Sequence, residues 1–280
     1  MSRIASPLVT ADFLAAELGA PDLRVVDGSW HMPATGRDPR EEFEARHIPG
    51  AVFFDIDGIA QKDTTLPHMA ANPAEFAKAA GDLGIADTDR IVVYDAAGLM
   101  SAARVWWNFR IMGAAHVFVL KGGLPRWMAE GRKLESGPSK AAPAVFRARP
   151  DPGQIVSRDE MLRLAETPGA AQIVDVRAAT RFNKEVDEPR PGLRRGHIPG
   201  SLNLPFADLI QDGALKEAGE LLRRLREAGV DPAKPVVSTC GSGVTAPILN
   251  LALAELGYDR MQVYDGSWAE WGADPKLPIE

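Results

Sequence analysis

The chain has 280 residues, 45% apolar and 25% charged, the balance of a soluble globular protein that can bury one large core or two smaller ones. Its formal net charge of -6 argues against a nucleic-acid or anionic-membrane partner. A single cysteine excludes an intrachain disulfide and a multi-cysteine zinc site, the five histidines show no metal-ligand spacing, and no stretch approaches transmembrane length. No metal, no cofactor and no membrane are therefore expected, in a reducing cytoplasm.

In chain order, Val9-Thr10-Ala11-Asp12 opens a capped helix, and Leu23–Asp27 (LRVVD) reads as a buried strand. Arg46–Ala51 (RHIPGA) is a turn that runs into a short strand and a helix. The strand Ile91–Asp95, a loop, a helix, the strand from Val117 and a last helix follow. Gly137–Gly153 is rich in Pro and Ala, lacks periodicity and reads as a linker.

After it the same order returns. Val156-Ser157-Arg158-Asp159 answers the first helix start, with Ser157 and Glu160 as a capping box. Ala171–Asp175 answers Leu23–Asp27 at an offset of 148, and Gly196–Ser201 (GHIPGS) answers RHIPGA at 150. Pro235–Thr239 and Met261–Trp271 answer Ile91–Asp95 and Val117–Trp127, both at 144. Matched blocks in one order mean two copies of one domain. The expected division is 1–138, a linker at 139–153, and 154–280. Alternating strands and helices predict an α/β unit in each half, a mainly parallel sheet with helices on both faces.

The chemistry-bearing stretch is Val236–Leu253, VVSTCGSGVTAPILNLAL. It reads as a strand, a Gly-rich loop and a helix starting near Thr245 or Ala246, with Cys240 where the strand ends. Strand C-termini are where open α/β sheets bind ligands. Gly241 and Gly243 let backbone N–H groups turn inward as a nest for negative charge, and the helix N-terminus adds to that field. A thiol there is expected to react as thiolate. At the offset of 144, Ala96 takes the place of Cys240 in the first half, which is therefore expected to be non-catalytic and to wall the cleft.

Cys240–Thr245 (CGSGVT) resembles the active-site loop of the rhodanese superfamily, in the branch that draws sulfur from 3-mercaptopyruvate. The resemblance extends through Asp27–Trp30, His47–Gly50, Phe53–Asp57, Leu66–Met69, Arg104–Trp107, Asp175–Phe182, Glu188–Gly192 and Tyr264–Trp268. It implies tandem rhodanese-like domains with only the second catalytic. It also implies ping-pong sulfur transfer through a Cys240 persulfide to a thiol, thioredoxin or cyanide.

The amides of Gly241, Ser242, Gly243, Val244 and Thr245 suit a persulfide anion, because they are donors aimed where charge develops. The loop holds no Lys or Arg, which points away from thiosulfate, a dianion, and towards 3-mercaptopyruvate. The resemblance makes Arg181 and Arg190 the substrate-binding arginines, whose planar donors fit a carboxylate. Arg177, Arg194 and Arg195 read as ordinary ion-pairing residues. The resemblance also makes Ser242, His68 and Asp57 a proton-handling set that crosses the cleft. His47 and His197, in equivalent turns, read as structural, and Trp106, Trp107, Trp127, Trp268 and Trp271 as packing.

Four other readings compete. A Cys-based phosphatase needs an Arg closing the loop, where Ala246 and Pro247 stand; a P-loop needs a Lys after Gly243. A non-enzymatic rhodanese-like binding module typically lacks the cysteine. The closest rival is a thiosulfate:cyanide sulfurtransferase of the same fold.

Overall fold

The computed structural model of the chain describes residues 6–139 and 141–280. Its strands are, in order, β1 (Leu8–Val9), β2 (Leu23–Asp27), β3 (Val52–Phe53), β4 (Arg90–Tyr94), β5 (His116–Leu120), β6 (Ile155–Val156), β7 (Gln172–Asp175), β8 (Leu202–Asn203), β9 (Ile210–Gln211), β10 (Ala214–Leu215), β11 (Val236–Thr239) and β12 (Met261–Tyr264). Two parallel five-stranded sheets form, in the orders β1-β5-β4-β2-β3 and β6-β12-β11-β7-β8. The two orders are the same, so the repeat seen in sequence is a repeat of topology. The central strands are β-branched, nearly continuous apolar runs because helices cover both faces. A small antiparallel pair, β9 and β10, lies outside both sheets.

Each half starts differently from expectation. A two-residue strand, β1 or β6, precedes the capped helix and pairs with the edge of β5 or β12. Two residues carry no period, so only the waiting sheet edge makes them a strand. The helix Pro39–Ala45, capped by Asp38, also lies between β2 and the first HIPG turn; the second half has a single turn, Ala179–Phe182, in that interval. The expected N-caps form: Thr10 Oγ1 accepts the Phe13 N–H at 3.2 Å, and Ser157 Oγ accepts the Glu160 N–H at 3.3 Å, the latter without the return bond to Glu160 that would complete a capping box.

The halves share one core. Helices Ala102–Ile111 and Ala246–Glu255 are equivalent in the repeat, are buried almost all round, and pack on each other. Helices apolar on every side belong in such a centre. The five tryptophans read as packing are each 0–1% exposed. The two HIPG histidines mirror one another: His47 Nδ1 meets the Phe43 carbonyl at 2.8 Å and His197 Nδ1 the Phe182 carbonyl at 2.9 Å, each ring stacked on that phenylalanine. The segment between the halves is strapped to the first one. Phe146 is buried against Phe76 and Phe109, and the Arg149 and Asp151 N–H groups bond the Met112 and Ile111 carbonyls.

Asp27 and Asp175 end equivalent strands but differ in company. Asp175 pairs with the buried Arg177, whereas Asp27 faces the Ser29 N–H at 2.9 Å with no cation partner among the described residues, and burial raises its pKa to about 6. A carboxyl raised in the folded state penalises folding once ionised, so stability falls as pH rises from 3.8 through about 6. Asp27→Asn is expected to add about 3 kcal/mol at pH 8, by the usual conversion of two pKa units. That gain should vanish below the carboxylate range in urea titrations across pH.

Candidate active site

Cys240 follows β11 directly, and the helix behind it starts at Ala246, where the sequence places it. The residue is 2% exposed. Its Sγ accepts the Gly243 N–H at 3.2 Å, and its own N–H donates to Ser267 Oγ at 3.2 Å. The Ser267 hydroxyl donates to the Tyr264 carbonyl and stands 4.0 Å from Sγ. Ser267 holds φ 51° without being glycine, while its counterpart in the first half is Gly123, at φ 52°. Among the described residues, the N–H groups of Gly241, Ser242, Val244 and Thr245 have no protein acceptor.

The first half shows what such a loop does with its donors. The Asp95 carboxylate accepts the N–H groups of Ala97, Met100, Ser101 and Ala102 at 2.8–2.9 Å. Its cradle is filled by its own side chain. This corrects the pairing of Cys240 with Ala96. Strand registers set Asp27 beside Tyr94 and Asp175 beside Thr239, so the residue after each, Asp95 and Cys240, are equivalent. The Asp95 carbonyl takes the Leu124 N–H just as the Cys240 carbonyl takes that of Trp268. The first loop is one residue longer, so the offset of 144 that fits the following helix misses by one at the strand end.

Around Cys240 two guanidiniums gather. Arg181, on the turn Ala179–Phe182, lies against the loop backbone: a Cβ at Gly241 would stand 2.9 Å from its Nη2. Glu188, its side chain 1% exposed, holds Arg181 through Nε at 3.2 Å and through Nη2. The same carboxylate accepts Arg177 Nη1 at 2.8 Å. Glu188, an acidic neighbour of both arginines in sequence, is thus the buried carboxylate that fixes Arg181 and Arg177. Arg177 is indeed an ion-pairing residue, though buried rather than solvated, and its guanidinium lies 4.3 Å from the Trp268 ring. Arg194 spends its donors on the carbonyls of Trp271, Gly272, Asp274 and Leu277, and Arg195 pairs with Asp187 at the surface.

Arg190 reaches across the cleft, with Nη2 at 3.0 Å from His68 Nε2. Arginine has only donors, so Nε2 accepts and the His68 proton sits on Nδ1, which bonds Asp57. Trp30 Nε1 bonds the other Asp57 oxygen at 3.0 Å. Burial pulls the Arg190 guanidinium down, while Cys240 opposes that shift and Arg181 reinforces it. The His68 bond holds Asp57 below the ordinary carboxylate range. The structure thus joins Asp57, His68 and Arg190 in a line, and it gives Ser242 Oγ no bond to His68.

Residues 10–130 and 157–274 each match the family described as Rhodanese-like domain. The chain belongs to the tandem-domain rhodanese family of sulfurtransferases. The 3-mercaptopyruvate sulfurtransferase of Escherichia coli (strain K12) is 43% identical over 97% of this chain and 97% of its own length. The Homo sapiens protein of the same name is 44% identical, over 96% of this chain and 93% of its own. The crystal structure of SseA from Escherichia coli, described as showing the rhodanese fold and catalytic mechanism of 3-mercaptopyruvate sulfotransferases, superposes with a TM-score of 0.87 at 40% identity, covering 94% of this chain and 99% of that one.

Within this rhodanese pair, one buried ion pair ties the units at the loop. Arg104 of the first unit bonds the Asp265 carboxylate and, at 3.1 Å, the Gly243 carbonyl. A Cβ on Gly243, whose φ is +80°, would stand 2.9 Å from both Arg104 Nη1 and Asp265 Oδ1. Gly243→Ala therefore combines a left-handed penalty with a clash, and is expected to cost roughly 2 kcal/mol or more. Urea unfolding checks the stability, and iodoacetamide labelling should show slower Cys240 alkylation as Sγ loses its N–H donor.

Proposed function

We propose that the protein moves sulfane sulfur from 3-mercaptopyruvate, through a persulfide on Cys240, to a thiol acceptor such as thioredoxin, or to cyanide, and releases pyruvate. The observation that carries this reading is the open cradle. Among the described residues, the amides of Gly241, Ser242, Val244 and Thr245 lack protein acceptors beside a thiol, whereas in the first-unit loop Asp95 takes the amides of Ala97, Met100 and Ser101 and Ser29 Oγ takes that of Ala96. An anion that comes and goes on Cys240 needs such donors, free and pre-organised.

The chemistry balances without a further reagent. The Cys240 thiolate attacks the donor sulfur, the carbon–sulfur bond breaks, and carbon leaves as the enolate of pyruvate. The thiol hydrogen of the donor is lost from the new persulfide and ends on the pyruvate methyl. The persulfide anion then faces the free amides. A dithiol acceptor takes the outer sulfur away as hydrogen sulfide and becomes a disulfide, while cyanide takes it as thiocyanate; both return the thiolate. Such a cycle suits a reducing compartment, the cytoplasm in this reading.

Arg181 and Arg190 bind the donor's carboxylate and ketone outside the loop. Glu188 keeps Arg181 in place, and His68 does the same for Arg190 in the free enzyme. As Arg190 turns to the carboxylate, His68 Nε2 is released to take and return the proton. Asp57 orients the ring, and the Ser242 hydroxyl bridges to the reacting sulfur.

A thiosulfate donor would bring two charges to a loop without a basic side chain, and a pure binding module would have no use for a thiol in an open cradle. Steady-state assays with both donors decide the first point: kcat/KM should favour mercaptopyruvate by at least about tenfold, and the reverse order overturns the choice. Cys240→Ser should keep the fold and abolish transfer; a persulfide still found on that variant by mass spectrometry refutes the mechanism. Arg181→Ala and Arg190→Ala should each raise KM for mercaptopyruvate by about tenfold with less effect on kcat, as loss of ground-state carboxylate binding requires.

A further inference from the structure

We infer that Arg104 is the positioning residue that sets the Cys240 loop against the Asp57–His68–Arg190 line. The inference rests on the sulfur-transfer reading of that site. Arg104 lies on the helix Ala102–Ile111 of the unit that carries no thiol, and it is 0% exposed. Its Nη1 donates to the Gly243 carbonyl and the Asp265 carboxylate, and its Nη2 to the His68 carbonyl. One planar group therefore grips the thiol loop of the second unit and the histidine of the first. A fork of fixed geometry transmits position where a flexible ammonium would not.

Each partner is itself constrained. Asp265 Oδ2 accepts the Ala70 N–H at 2.7 Å, so the carboxylate also spans the units, two residues beyond His68. His68 holds φ 62°, a conformation in which its carbonyl points to Arg104 while its ring meets Asp57 and Arg190. Gly243 holds φ +80° with its carbonyl on Arg104 and its N–H on Sγ. In a trans peptide the Val244 N–H points opposite to the Gly243 carbonyl. Arg104, by pulling that carbonyl out of the loop, turns the Val244 amide the other way. The ring of Trp107, 4.6 Å from the guanidinium, keeps Arg104 from swinging aside.

The test uses Arg104→Lys and the isosteric Asp265→Asn, which keeps an acceptor for Ala70 and serves if the first does not fold. Both leave Arg181, Arg190, Asp57 and His68 in place. The pH profile of Cys240 alkylation by iodoacetamide should move up by about one pH unit in Arg104→Lys, equal to a tenfold loss of thiolate preference; Asp265→Asn also removes a negative charge beside the loop, which by itself favours thiolate, so that variant is read by kcat. kcat with mercaptopyruvate should fall about tenfold or more with KM changed less, since substrate arginines are untouched. A folded Arg104→Lys with the wild-type alkylation profile, or a folded Asp265→Asn with the wild-type kcat, overturns the inference. If mercaptopyruvate proves not to be the donor, the alkylation profile still reads Arg104, because it needs no substrate.

Discussion

A buried cation and a buried anion meet where the two halves of the chain touch. Taking Arg104 and Asp265 out of water is costly, and only further hydrogen bonds offset it. Here those bonds go to the Gly243 and His68 carbonyls and come from the Ala70 amide. Removing one partner of such a pair typically costs about 3 to 5 kcal/mol, because the other charge is stranded. The candidate site draws on both units: Asp57 and His68 come from one and Cys240, Arg181 and Arg190 from the other.

The two units also show how one backbone serves opposite ends. Their sheets share an order, and their loops leave the equivalent strands at Asp95 and Cys240. In the first, a fixed carboxylate satisfies four amides and closes the cradle. In the second, a thiol takes one amide and leaves others open. The strand ends diverge as well: Asp175 is neutralised by Arg177, which in turn helps Glu188 aim Arg181, while Asp27 has no cation partner among the described residues. Polar groups around the thiol are thus held from behind by buried partners.

Much of this was legible in the residues. The strand–loop–helix around Cys240, the order of elements in each half and the structural part played by His47, His197 and the tryptophans follow from periodicity, turn chemistry and the repeat. The misses share a cause. A single offset of 144 paired Cys240 with Ala96, because a one-residue difference in loop length leaves no mark on flanking apolar blocks; hydrogen-bonded registers do. Two-residue strands lack a period. The Pro- and Ala-rich segment gave no sign that Phe146 would bury itself in the first unit.

The sequence by itself determined that there are two α/β copies, that one thiol stands at a strand end in a glycine loop, and that this loop carries no charge. These are matters of local pattern, residue type and spacing, which survive without contacts. Only the tertiary structure decided that the first loop fills its own cradle, that Glu188 is buried beneath Arg181, and that His68 accepts from Arg190 rather than facing Ser242. Those outcomes depend on which side chains far apart in the chain meet in a common low-dielectric space, and no local pattern encodes that.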